Sequence, residues 1–186
     1  MCIRDSLRFL RSERIPAVVF LNKRWVEANP TTFSQLADEP ALFEIGNHGT
    51  RHVPLSVTGR SQYGIAGTRN AGEVYDEIMD NHTFLTRELG TSPRYFRTGT
   101  AWYDDVAVKI VRALGEVPVG FDINGDAGAT FTASQVAESV QQATAGSIIL
   151  AHCNQPRGDT YAGLRRALPK LRASGLQFAT LSEAGV

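Results

Sequence analysis

Residues 42–52 read LFEIGNHGTRH, and the fold is decided by where this stretch changes character. Leu42, Phe43 and Ile45 read as a buried strand over residues 42–47 that ends at glycine and polar residues. His48 and His52 then follow, four residues apart. Upstream, Pro16 opens the β-branched run AVVFL at residues 17–21, a second buried strand preceded by the end of a helix in residues 7–14. Between the two strands, FSQLA at residues 33–37 predicts a short helix after Pro30. Downstream, residues 53–70 are rich in Gly, Ser, Thr and Arg and form a long loop, a class that in compact domains is often functional.

The same alternation continues to the end of the chain. Val74, Ile78, Leu85 and Leu89 recur at helical spacing within residues 72–89, and Gly90 and Pro93 stop that helix. Strands follow at residues 94–98 (RYFRT), 117–123 (VPVGFDI), 147–152 (SIILAH) and 177–181 (QFATL), with helices at 104–114, 133–143 and 161–173 between them. Alternation with continuous apolar strands implies a parallel sheet covered by helices, either doubly wound or a (β/α) barrel. Both architectures place function at the C-terminal ends of strands. That rule selects Asn47 and His48, Arg97 and Thr98, Asp122, Asn124 and Asp126, and His152.

Composition narrows the class of partner. The chain has 186 residues, 42% hydrophobic and 20% charged, the composition of one ordinary globular domain. Nineteen basic and nineteen acidic residues cancel, so no overall field draws it to nucleic acid or an anionic membrane, and a small or neutral partner is expected. No apolar run approaches the roughly 18–20 residues of a membrane span. Cys2 and Cys153 are too few for a disulfide framework and lack the paired spacing of a zinc-thiolate site, so the redox compartment stays open. The opening MCIRDS, residues 1–6, reads as a leader ahead of a domain spanning residues 7–186.

Each candidate residue carries two readings. His48 and His52 are spaced to converge on one ion, imidazole being a ligand suited to zinc, or they are loop histidines that face water. His152, at the end of an apolar strand, is an acid or base at the rim of the sheet, or a satisfied core histidine. Arg97 orients a carboxylate through its planar donor fork or forms a surface ion pair. Asp122 and Asp126 flank Asn124, and either could hold a histidine in one tautomer, while Asp-rich loops also favour Asx turns. Strand alternation turns Cys153 away from whatever His152 faces, which makes it structural. His82 joins the polar face of its helix, and Trp102 and Tyr103 line a sugar-binding cleft or cap the next helix by packing.

The order IPAVVFLN, FEIGNHGTRH, TSPRYFR, FDINGD and GSIILAH resembles the polysaccharide deacetylase (NodB-homology) family of carbohydrate esterase type, from about Leu7 onward. The resemblance implies a distorted (β/α) barrel with a divalent metal, zinc by preference, held by one aspartate and two histidines. It makes His48 and His52 metal ligands and His152 the acid that protonates the departing amine. It also makes Arg97 the residue that orients the catalytic aspartate, and Asp126 the partner of His152. The implied substrate is an N-acetylated amino-sugar polymer such as peptidoglycan or a chitin-like glycan, and the implied location is the cell envelope or exterior. Two other readings keep the fold: hydrolysis of a small amide or ureide, or a non-catalytic carbohydrate-binding module.

Two departures from the family pattern stand out. RTGTAWYDD follows the arginine where the family is usually proline-rich, which bears on the substrate pocket. The family's first strand, ending in an aspartate pair that supplies the base and the third ligand, has no counterpart here; Asp5 in MCIRDS does not follow an apolar strand. The expectation is therefore an N-terminally truncated barrel without its first strand, with weak metal binding and little hydrolysis by the chain as written.

Overall fold

The structure, a computed structural model, describes residues 3–186. In chain order the elements are α1 (Ile3–Ser12), β1 (Ala17–Leu21), α2 (Lys23–Ala28), α3 (Pro30–Ala37), β2 (Phe43–Asn47), α4 (Ala71–Leu89), β3 (Tyr95–Phe96), α5 (Asp105–Ala113), β4 (Val117–Pro118), β5 (Ile123–Asn124), α6 (Ala133–Val140), β6 (Ile149–Leu150) and α7 (Thr160–Ala173). They fall into two compact units: one joins the N-terminal segment to Ala17 with Phe121–Val186, and the other is Val18–Gly120. The expected α/β alternation is present in both. Ile3 to Ser6, read from sequence as part of a leader, belong to the first turn of α1.

In the central unit the sheet order is β1-β2-β3-β4, and β2 pairs with β3, and β3 with β4, in parallel. Asn47 lies opposite Phe96, so the residue before His48 and the residue before Arg97 end their strands side by side. α4 buries Val74, Ile78 and Leu85 fully, and Val74 and Ile78 pack into the core that includes Leu55, Phe96, Ala107 and Val111. Burying each such side chain stabilises by about 1.5–3 kcal/mol. Asn70 caps the helix by accepting the Glu73 N–H, and Gly90, at φ +71, takes the left-handed turn that ends it.

The loop of residues 53–70 is tied at several points. Thr68 Oγ1 accepts the Ser56 N–H at 2.8 Å and donates to the Ser56 carbonyl at 2.6 Å, closing the neck. Asp104 caps α5 through the Ala107 N–H and also accepts the Val57 N–H at 2.7 Å. At the tip, Gln62 and Ile65 exchange both backbone hydrogen bonds around Tyr63 and Gly64, which have φ +54 and +74.

In the other unit α6 lies against α7 closely enough that a Cβ on Gly163 would stand 2.3 Å from Val136 Cβ. Val136, Val140, Leu164, Ala167, Leu168 and Leu171 form its core. β5 and β6 pair in parallel with Ile123 opposite Ile149.

Three expectations are corrected. The single strand read over residues 117–123 is two: Val117 and Val119 donate to the carbonyls of Arg94 and Phe96, whereas Asp122 and Ile123 donate to Ile148. The ladder partner changes around Gly120, so one apolar run serves two sheets. Residues 177–181 form no strand, because Thr180 accepts the Glu183 N–H and its own N–H donates to the Glu183 carboxylate, which bends the chain into a turn. α2 was not anticipated; KRWVEA is short, and its cap, Asn22 accepting the Trp25 N–H, is its main sequence signal.

Candidate functional site

His48 follows β2 directly, and its N–H donates to the Leu21 carbonyl of β1 at 3.1 Å. Its Nδ1 lies 2.6 Å from the Arg97 carbonyl. A carbonyl can only accept, so Nδ1 carries the proton and Nε2 keeps the lone pair that a metal ion would use. The chain then folds back: Gly49 has φ +73 and His52 φ +64, and the His48 and His52 rings meet edge to face with centroids 4.8 Å apart. Gly99 leaves room for this return, since a Cβ there would lie 2.5 Å from the His52 carbonyl carbon.

Glu77 of α4 holds the loop from beneath. It is 2% exposed, and its carboxylate accepts the Arg51 N–H at 2.9 Å, the His52 N–H at 3.0 Å and the Arg51 Nε–H at 3.1 Å. Burial pushes the Glu77 carboxyl above the ordinary range, and these donors pull it partly back. Sequence reading missed Glu77, yet a signal existed: Glu77 falls with Val74, Ile78, Asn81 and Leu85 on the buried face of α4, where a charge needs a reason. His82 is also placed differently from expectation, its Nδ1 2.5 Å from a carboxylate oxygen of buried Glu116.

Arg97 is 6% exposed, which removes the surface ion-pair reading. Its Nε and Nη2 donate to the carbonyls of Val119 and Gly120, and its guanidinium stacks 4.6 Å from the Phe20 ring centroid. No carboxylate among the described residues forms an ion pair with Arg97. Burial lowers its pKa, although a guanidinium stays charged. Next to it, the Thr98 hydroxyl donates to the Val53 carbonyl and the Thr98 N–H donates to Tyr103 Oη, so Tyr103 packs under the turn as a brace. Trp102 stacks under Arg60 with 5.3 Å between the guanidinium carbon and the ring centroid.

In the other unit Asp126, 0% exposed, resolves the choice between the two aspartates. Its Oδ1 lies 2.8 Å from His152 Nδ1, and its Oδ2 accepts the His152 N–H at 2.7 Å and the Thr160 hydroxyl at 2.8 Å. Burial alone would raise the Asp126 carboxyl, but the hydrogen bonds and positive field of His152 outweigh it and leave the carboxyl below its ordinary value. An ionised Asp126 fixes the proton of His152 on Nδ1, leaving Nε2 to exchange protons. Asp122 instead takes the Ile148 N–H at 2.5 Å, and Asn124 accepts the Ala127 N–H at 2.9 Å, which is the turn reading. Cys153 is half-buried, and burial pushes its thiol up to about 11, so it is not poised as a nucleophile.

For the implied metal, His48 and His52 supply two imidazoles of the right donor type. Among the described residues, however, no group of three or more His, Cys, Asp or Glu is placed to hold a metal ion. The ligand set present is partial.

A family model described as polysaccharide deacetylase matches residues 2–119. The chain is 26% identical over 181 residues to a peptidoglycan-N-acetylglucosamine deacetylase of Bacillus cereus, covering 95% of this chain and 78% of that protein. Among solved structures, a CE4 family pseudoenzyme from Bacillus anthracis superposes with a TM-score of 0.82 at 20% identity, over 97% of this chain and 59% of that one. This chain thus spans less than two thirds of that relative's length. A family 4 acetyl xylan esterase from Clostridium thermocellum, in complex with a cobalt ion, superposes at 0.78 with 23% identity, over 97% and 82% of the two chains. At such identities the structural likeness speaks for the α/β barrel fold of this group rather than for its chemistry. The family match covers more than half of the sequence and coincides with the β2 and β3 motifs: the chain belongs to the polysaccharide deacetylase family.

Proposed function

We propose that the protein is a metal-dependent hydrolase that removes N-acetyl groups from an amino-sugar polymer of the peptidoglycan or chitin type, acting at the cell envelope or outside the cell. The observation that carries this reading is the folded-back loop in which His48 and His52 converge while the Arg97 carbonyl holds His48 in the tautomer whose Nε2 bears the lone pair a metal would use. His48 and His52 would hold a divalent ion such as zinc, which when bound polarises an acyl carbonyl and acidifies water. Arg97, buried and without a carboxylate ion-pair partner among the described residues, is suited to orient a carboxylate supplied to it. His152 protonates the departing amine from Nε2, and Asp126 stabilises the imidazolium and fixes its orientation.

Among the described residues no third metal donor joins His48 and His52. The same absence of a three-donor group favours a second reading, a glycan-binding protein on this fold without turnover. Titrating Zn2+ into the protein, with and without His48→Ala, and measuring acetate released from N-acetylglucosamine oligomers separates them. Metal binding lost in His48→Ala supports the ligand assignment; glycan binding with no metal uptake supports the second reading.

A further inference from the structure

Beneath the histidine loop lies a chain of buried polar groups that the proposed chemistry does not use. Asn47, 0% exposed, directs its amide nitrogen at the Ile78 carbonyl (3.0 Å) and at both carboxylate oxygens of Glu116 (2.9 and 3.2 Å). That leaves its Oδ1 facing the Gly49 N–H at 3.0 Å and the Asn81 amide at 2.6 Å. Asn81 in turn donates to the Leu21 carbonyl at 2.8 Å, the atom that also receives the His48 N–H. Glu116, 2% exposed, is held on its other side by His82 Nδ1.

Each link fixes the next. An Asn amide can present either its oxygen or its nitrogen in a given direction, and the Ile78 carbonyl and the Glu116 carboxylate together draw the nitrogen to their side. With the nitrogen drawn to Glu116, the oxygen must face Gly49, the residue between the two candidate ligands. Apolar side chains in place of His82 and Glu116 would take away two of the three oxygens that hold that nitrogen, leaving the Ile78 carbonyl, and so weaken the bias.

We infer that His82 and Glu116 are positioning residues for the candidate metal-ligating loop: they set the orientation of Asn47, which holds Gly49 and so the approach of His48 to His52. The inference rests on the ligand assignment made above for His48 and His52. It concerns residues on α4 and immediately before β4, outside the ligand set itself.

The test is amide hydrogen exchange at Gly49, read by NMR, together with Zn2+ titration, in the wild type, Glu116→Gln and the double variant His82→Leu/Glu116→Leu. Glu116→Gln keeps an acceptor for Asn47 and should leave both readouts near wild type. The double variant should exchange Gly49 at least about tenfold faster and bind Zn2+ about 10–100-fold more weakly, the usual loss for groups that orient a ligand. The Ile78 and Leu85 amides on α4 should stay protected, which a general loss of structure would not allow. If the double variant fails to fold, His82→Gln must keep Gly49 protected and His82→Phe must lose it. A double variant with wild-type exchange and wild-type Zn2+ affinity overturns the inference. His48→Ala run in parallel distinguishes the two failures: unchanged Zn2+ uptake there refutes the ligand assignment, while Gly49 exchange still judges the positioning role.

Discussion

Asp126→Ala should be among the most destabilising substitutions near the candidate site. The carboxylate is fully buried and serves three donors: the His152 N–H, His152 Nδ1–H and the Thr160 hydroxyl. Hydrogen bonds to a charged acceptor contribute about 1.5–3 kcal/mol, and a buried donor left without a partner costs about 1–3 kcal/mol. The His152 side chain is 34% exposed, so water can reach its ring and the cost there is discounted; Thr160 is buried and bears its cost in full. The loss is then roughly 3–5 kcal/mol, a fall in melting temperature on the order of 10 °C for a chain of this size. Thr160→Val alone should cost about 1 kcal/mol, and almost nothing further once Asp126 is Ala, since the two share one bond. The sign with pH is fixed by the depressed Asp126 carboxyl: its contribution is complete above the unfolded value near 3.8 and disappears as pH falls through the lower folded value. Thermal melts of the wild type, both single variants and the double variant between pH 7 and pH 3 measure all of this. Unchanged melting for Asp126→Ala, or strict additivity with Thr160→Val, would refute the hydrogen-bond assignment.

Gly49→Ala should be costlier than Gly64→Ala. Both glycines sit at positive φ, +73 and +74, a strain of about 1–2 kcal/mol for alanine, but only at Gly49 would the new Cβ meet an atom, Glu77 Oε1 at 2.6 Å. Denaturant titration should therefore show a larger loss for Gly49→Ala, and equal losses would contradict the tight seat of the loop. Glu77→Ala frees the backbone N–H groups of Arg51 and His52 and should weaken Zn2+ binding by about tenfold or more; calorimetric titration reads it directly. Cys153, raised from 9.0 to about 11, holds about a hundredfold less thiolate near pH 8 than an open thiol. Its peptide should accordingly be alkylated far more slowly in the native than in the unfolded protein, and equal rates by mass spectrometry would show that the thiol is not buried.

What could be read from the sequence was whatever local patterning controls. The α4 stripe, the glycine stop at Gly90 and the runs that became β1, β2 and β6 carry their own periodicity, so they were visible. The break near Gly120 was not, because VPVGFDI is one apolar run and only its ladder partners, residues far away in sequence, divide it. QFATL alternates like a strand, yet Thr180 and Glu183 cap a turn there and Phe178 packs on helices instead. At the candidate site the strand-end rule singled out His48, Arg97 and His152, and the four-residue spacing added His52 in the loop beyond β2. The bond between Asp126 and His152 was only one of two options until the fold brought them together. Glu77 and Glu116 escaped notice, and the contacts of Asn47 and His82 could not be read, because they join residues 26 to 69 positions apart. Their shared signal, polar groups on otherwise apolar faces, becomes readable only once burial is known.

The most direct test of the ligand assignment is acetate release from N-acetylglucosamine oligomers under Zn2+ or Co2+ by the protein, compared with its His48→Ala variant. The expected result is release that stops on chelation, returns with the metal and is abolished by His48→Ala. Glycan binding without acetate release under any divalent metal, or release that His48→Ala leaves intact, would contradict the assignment of His48 and His52 as the ligands of a hydrolytic metal.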